Sequence, residues 1–143
     1  MNIPTEVEWG DWQADLDQKS AHEIFAGRSA ADVRPLFQEN VIERTDELRF
    51  MPPVPFRYYM LAFRDYLVAD AVRQDEASDA ANCFLGLVAD KLENDPASIA
   101  PIVGELLAAV DYVADNQAAF DAPVDIYGDF RALRARIRLL AAG

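Results

Sequence analysis

The sequence predicts an all-α protein: a compact single-domain bundle of about five or six helices, with a main central helix near residues 55–74. Three observations carry that expectation. Apolar residues recur at helical spacing through most of the chain, strand-like alternation is missing, and serine, threonine and proline sit where helices begin. One core is expected to serve residues 1–143, with residues 1–17 as an irregular N-terminal arm pinned by Trp9 and Trp12.

The elements follow in order. In "SAHEIFAG", Ser20 caps a short helix with Glu23 at the capping-box position, and Gly27 ends it. In "SAADVRPLFQEN", Ser29 and Asp32 form a second capping pair, and Ala31, Val33, Leu36, Phe37 and Val41 make a rough stripe. Pro35 lies deep in that pattern, which predicts a kink or restart near Val33 and Arg34. Thr45 caps one or two turns of "RTDELRFM". Pro55 then falls in the first turn of the main helix, where its missing N–H is not needed. Phe56, Tyr59, Met60, Phe63, Leu67 and Ala71 form the core stripe, flanked by Leu61, Ala62, Tyr66, Ala69 and Val72. Ser78 caps the next helix, whose inner face is Ala81, Phe84, Leu85, Val88 and Leu92. Another begins near Ser98 and buries Ile99, Ile102 or Val103, Leu106, Val110 and Val113, with Phe120 beyond. A turn-rich "DAPVDIYGDF" leads to a last helix through Phe130, Leu133, Ile137 and Leu140.

Composition narrows the classes of function. Thirteen Lys and Arg against twenty-five Asp and Glu give a net charge of −12, and the segment from Arg131 onward holds four arginines and no acid. Such an excess repels phosphate backbones and anionic membranes and attracts basic protein surfaces. Neither nucleic acid nor membrane is therefore an expected partner. Apolar runs are short, so no bilayer-spanning segment is expected. The opening "MNIPTEVEWGDW" lacks a signal-peptide pattern, and the single Cys83 rules out an internal disulfide; a cytoplasmic location is the expectation.

No catalytic signature emerges. His22 and Glu23 begin an H-E-x-x-H pattern, but position 26 is alanine. There is no E-x-x-H, no EF-hand spacing and no glycine-rich phosphate loop, so no metal or cofactor is expected. His22 reads as a partly buried helix histidine and Cys83 as a small core hydrophobe. Arg131, Arg134 and Arg138 share one face of the last helix, where they oppose the helix dipole and pair with the acidic body.

"IFAGRSAADV" followed by "LRFMPPVPFRYYMLAF" resembles a family of small, uncharacterised bacterial helical proteins. Their shared pattern is an aromatic before G-[KR], then L-x-F-[LM]-x-P-x-x-F-x-Y-Y-[LM]-x-A-[FY]. The matching positions are Phe25, Gly27, Arg28, Leu48, Phe50, Met51, Pro53, Phe56, Tyr58, Tyr59, Met60, Ala62 and Phe63. Pro55 and Leu61 depart from the pattern. The resemblance covers residues from about 20 to 70, implies a helical fold and a bacterial source, and brings no catalytic residue.

The function expected from charge and class is a non-catalytic protein-binding module, such as an immunity protein that neutralises a basic toxin. Asp65, Asp70, Asp111 and Asp115 are the expected contacts. Two alternatives stand beside it. One is an enzyme whose site is built from carboxylates or from Tyr58, Tyr59 and Tyr66 with Arg57 or Arg64. The other is a homo-oligomer that pairs the surplus apolar face of the main helix.

Overall fold

A computed structural model describes all residues 1–143 and contains no strand. Seven helices of nine residues or more make the body: α2 (Leu16–Phe25), α3 (Ala30–Glu39), α4 (Val41–Arg49), α5 (Pro53–Ala69), α6 (Ala77–Asn94), α8 (Val103–Asp115) and α10 (Phe130–Ala142). Three single-turn helices join them: α1 (Glu6–Trp9), α7 (Pro96–Ile99) and α9 (Val124–Tyr127). The all-α expectation is met.

Local chemistry explains where each helix begins. Residues 1–14 hold α1, opened by a Thr5–Glu8 capping box, and a 3-10 turn at Trp12–Ala14. The next helix starts one turn earlier than Ser20, because the Asp15 carboxylate accepts the backbone N–H of Asp17 and of Gln18. Ser20 lies in mid-helix. Gly27, at φ +77°, turns the chain away from α2, a conformation that glycine adopts without strain. The Ser29–Asp32 capping box opens α3 as expected. Pro35 leaves α3 unbroken: the one carbonyl deprived of its N–H is that of Ala31, which is exposed to water.

Asn40, and not Thr45, caps α4 by accepting the N–H of Glu43. Thr45 is buried within the helix and donates its hydroxyl to Val41 O at 2.7 Å. Pro53 and Pro55 both fall in the first turn of α5. The helix stops at Ala69, and a 3-10 turn, Ala71–Arg73, completes the expected span. Ser78 lies inside the first turn of α6, and its hydroxyl pairs with Tyr127 Oη at 3.0 Å. Pro101 divides the helix expected from Ser98 into α7, a 3-10 turn at Ala100–Ile102, and α8. Gln117 closes the long connection by donating to Ala122 O and Gly128 O and accepting the N–H of Phe130.

These starts place α5 at the centre. It packs against α3, α4, α6, α7 and α8, while α10 lies across α6 and α8. A single cluster of 37 buried apolar residues runs from Trp9 to Ile137, so the N-terminal segment and the last helix share one core. Phe56, Tyr59, Met60, Phe63, Leu67 and Ala71 are all fully buried, and Tyr66 with them. The surplus apolar face suggested by the sequence of α5 is thus consumed within the chain. The stretch Pro96–Asp115 is long and apolar enough by composition to cross a membrane, contrary to the expectation from apolar run length. In the fold it is interrupted by the 3-10 turn and seats Ile99, Ile102, Leu106, Val110 and Val113 in the core.

Phe63 is the midpoint of this packing, stacked on Phe37 with centroids 4.7 Å apart and edge-on to Phe84 at 5.6 Å. Truncation there leaves a cavity that three helices cannot close together. Phe63→Ala is expected to destabilise the protein by about 3–5 kcal/mol in chemical denaturation, and near wild-type stability would contradict the central position of α5.

Candidate functional site

The polar residues of α5 are used by the fold. Tyr59 Oη lies 2.7 Å from Phe25 O and 2.8 Å from Arg28 O, at the end of α2. Burial and the neighbouring Tyr58 keep its phenol protonated far above the usual range. Tyr58 Oη accepts the N–H of Ala30, the first residue of α3. Arg57 donates to Ser98 O and Ala97 O, and Arg64 to Glu105 O. The phenol of Tyr66 is likewise raised by burial. No surface cavity is lined by Tyr58, Tyr59, Tyr66, Arg57 or Arg64, so the tyrosine–arginine site suggested by the sequence is not assembled.

The four aspartates singled out as protein contacts are each held by an arginine of the same chain. Asp65 pairs with Arg64 at 2.9 Å and Asp70 with Arg34 at 2.7 Å. Asp111 accepts Arg138, with Arg134 at 3.8 Å, and Asp115 accepts Arg134 at 2.8 Å. The Arg138 guanidinium holds the Asp111 carboxyl below its ordinary value. With Arg136 on Glu93 at 2.5 Å, three of the four arginines of α10 are spent on α6 and α8. Cys83 is half-buried at the edge of the core, and desolvation pushes its thiol up, away from reactivity. His22 stacks on Trp12 and touches the carboxylate of Glu6. No three His, Cys, Asp or Glu side chains come close enough together to share a metal ion.

What the fold does assemble is an acidic cleft of about 330 Å³ between α2 and α4, lined by Asp17, Ser20, Glu43, Asp46, Glu47 and Phe50. The early start of α2 brings Asp17 and Ser20 onto one face. The start of α4 at Asn40 aligns Glu43, Asp46, Glu47 and Phe50 at i, i+3, i+4 and i+7. That spacing was present in the sequence but disappears when the helix is begun at Thr45. Asp17 has no ion-pair or hydrogen-bond partner for its carboxylate. Phe50 is 43% exposed on the rim.

Glu47, which lines the cleft, is buried and pairs with the partly buried Arg44. Arg44 Nε stands 2.5 Å from Glu47 Oε1, with its N–H directed off the line between them, while Nη2 donates to Oε2 at 3.2 Å. Asp46 is engaged by Arg49, which also reaches Asp90 at 3.3 Å. Desolvation raises the Glu47 carboxyl above its ordinary value, and the attraction of Arg44 only partly offsets it.

Comparison of the chain with models of protein families, with curated protein sequences and with solved structures finds no match.

A raised folded-state carboxyl favours the protonated form in the fold, so its stabilising contribution is complete below the unfolded value near 4.5 and fades as the pH rises through the folded one. Glu47→Gln is therefore expected to remove a decline in stability above that value. Denaturation of both proteins at a series of pH values checks this, and a wild-type-minus-variant difference that stays flat or rises with pH would refute it.

Proposed function

We propose that the protein is a non-catalytic binding module for a basic protein, of the kind that covers and neutralises a cationic surface, with the α2–α4 cleft as its contact. The carrying observation is the cleft itself: four carboxylates line it, Asp17 is unpaired, and an exposed aromatic ring stands at the edge. Arg44 and Arg49 neutralise only part of that charge. A lysine or arginine side chain from a partner would gain the unpaired Asp17 and, beside Arg44 at 3.4 Å, the exposed Glu43 as acceptors, and lay its aliphatic stem on Phe50. The net charge of −12 adds long-range attraction, which speeds encounter more than it deepens binding.

Asp65, Asp70, Asp111 and Asp115 are less suited to this role, since recruiting any of them means displacing an arginine already in place. The resemblance of residues 20–70 to small bacterial proteins accords with an immunity-type role in the bacterial cytoplasm, opposite a basic toxin. The enzyme alternative draws no support from the tyrosines, whose hydroxyls serve helix ends.

A fluorescent oligo-arginine peptide is a direct probe. It is expected to bind the wild type and to be released as salt rises from about 50 to about 500 mM. The double variant Asp17→Asn/Glu43→Gln should weaken binding about tenfold, while Asp111→Asn/Asp115→Asn should leave it within about twofold. Equal weakening by both pairs would show that net charge alone attracts the peptide, and no binding at low salt would remove the proposal.

A further inference from the structure

Residues 1–14 are attached to the rest of the protein in an unusual way. None of their backbone groups is hydrogen-bonded beyond Asp15; the bonds present are local, such as Trp9 N to Thr5 O, Gly10 N to Val7 O and Asp15 N to Trp12 O. One polar side-chain contact crosses to the body, from Glu6 to His22 Nε2, at 2.7 Å to the nearer oxygen. The remaining attachments are apolar: Pro4 is buried, and both tryptophans meet His22. Trp12 stacks flat on the His22 imidazole at 3.7 Å, and Trp9 sets its ring edge-on to it at 5.2 Å. Trp9 also lies against Tyr59 of α5, centroids 6.3 Å apart, and is fully buried. Its indole Nε1–H has no partner, an unmet donor that weakens the seat.

We propose that residues 1–14 are a releasable strap, and that His22 is the clasp that closes it. A single-turn helix and a 3-10 turn have no stability of their own, so the strap is ordered by docking alone. Undocking breaks no hydrogen bond of α2–α10 and none of the capping bonds Tyr59 makes to the end of α2. It does bare the rings of His22 and Tyr59 that Trp9 and Trp12 cover. Undocking empties the seat of Trp9 in the common core but leaves the hydrogen bonds among α2–α10 in place, and an aromatic face is uncovered when the strap leaves. Because His22 projects from the side of α2 opposite Asp17 and Ser20, the device is separate from the acidic cleft and does not rest on its function.

Native-state hydrogen exchange and brief chymotrypsin treatment of the full chain test this together. In the wild type the amides of Trp9, Gly10 and Asp15 are expected to exchange through a local opening, faster than those of α5 and α6 and nearly independent of low denaturant. Cleavage after Trp9 or Trp12 should leave the remainder folded. His22→Ala should accelerate exchange and cleavage at these positions about tenfold or more, with α5 and α6 unchanged, and Glu6→Gln should act in the same direction more weakly. Asp111→Asn should change neither. Exchange of the strap amides in step with α5 and α6 in the wild type would overturn the strap, and unaltered cleavage in His22→Ala would overturn the clasp. Should His22→Ala fail to fold, the wild type and Glu6→Gln decide the matter: equal strap cleavage in those two proteins also overturns the clasp.

Discussion

The hydroxyl of Tyr59 meets the last carbonyl of α2 and the carbonyl of Arg28 from the middle of the core, and the rest of the structure is arranged around that contact. Helix ends leave backbone groups unpaired, and a bundle of short helices has many of them to satisfy. Here the central helix supplies the partners. Tyr59 finishes α2, Tyr58 receives the first N–H of α3, and Arg57 reaches Ala97 O, the carbonyl deprived of a partner by Pro101. On the far side Lys91 of α6 does the same for α4, donating to Arg49 O at 2.8 Å while its ammonium lies over the Phe56 ring. The aromatic density of "PFRYYMLAFRDY" is therefore that of a helix which both fills the core and terminates its neighbours.

That arrangement accounts for what the sequence revealed. Periodicity identified α5, α6 and α10 and most of their buried positions, because burial on several sides writes a long, unambiguous stripe. The Ser29–Asp32 box was legible because both of its bonds are local. Starts at Asp15 and Asn40 were not, since Ser20 and Thr45 are chemically adequate caps and the choice depends on which turn packs beneath α5. The candidate site was hidden for the same reason: moving the start of α4 from Thr45 to Asn40 is what puts Glu43, Asp46 and Glu47 on one face. Pro35 and Pro101 look alike in sequence and behave differently. The carbonyls orphaned by Pro35 and Pro101 belong to the exposed residues Ala31 and Ala97, and only the second receives an arginine from another helix.

The acidic excess also changes meaning once paired. Arginines of α3, α4, α5 and α10 engage Asp46, Glu47, Asp65, Asp70, Glu93, Asp111 and Asp115, mostly on the surface, where such pairs contribute little to stability individually. Their consequence is a surface on which much negative charge is already matched. Asp17, one of the carboxylates left without an ion pair, lines the α2–α4 cleft together with Glu43, which Arg44 touches at 3.4 Å. On the opposite side of α2, His22 gathers two tryptophans and a carboxylate onto one imidazole, so a helix of ten residues borders both features.

The central claim is that α5 organises the bundle by completing the ends of its neighbours, and Tyr59→Phe isolates it. The ring and its packing remain, and only the hydroxyl that serves Phe25 O and Arg28 O is lost. Urea denaturation should show a loss of about 1–3 kcal/mol, the penalty of removing the one proton that Phe25 O and Arg28 O share, although Phe25 O keeps the N–H of Arg28. Stability within about 0.5 kcal/mol of wild type would show that packing alone holds α2 and α3 against the central helix.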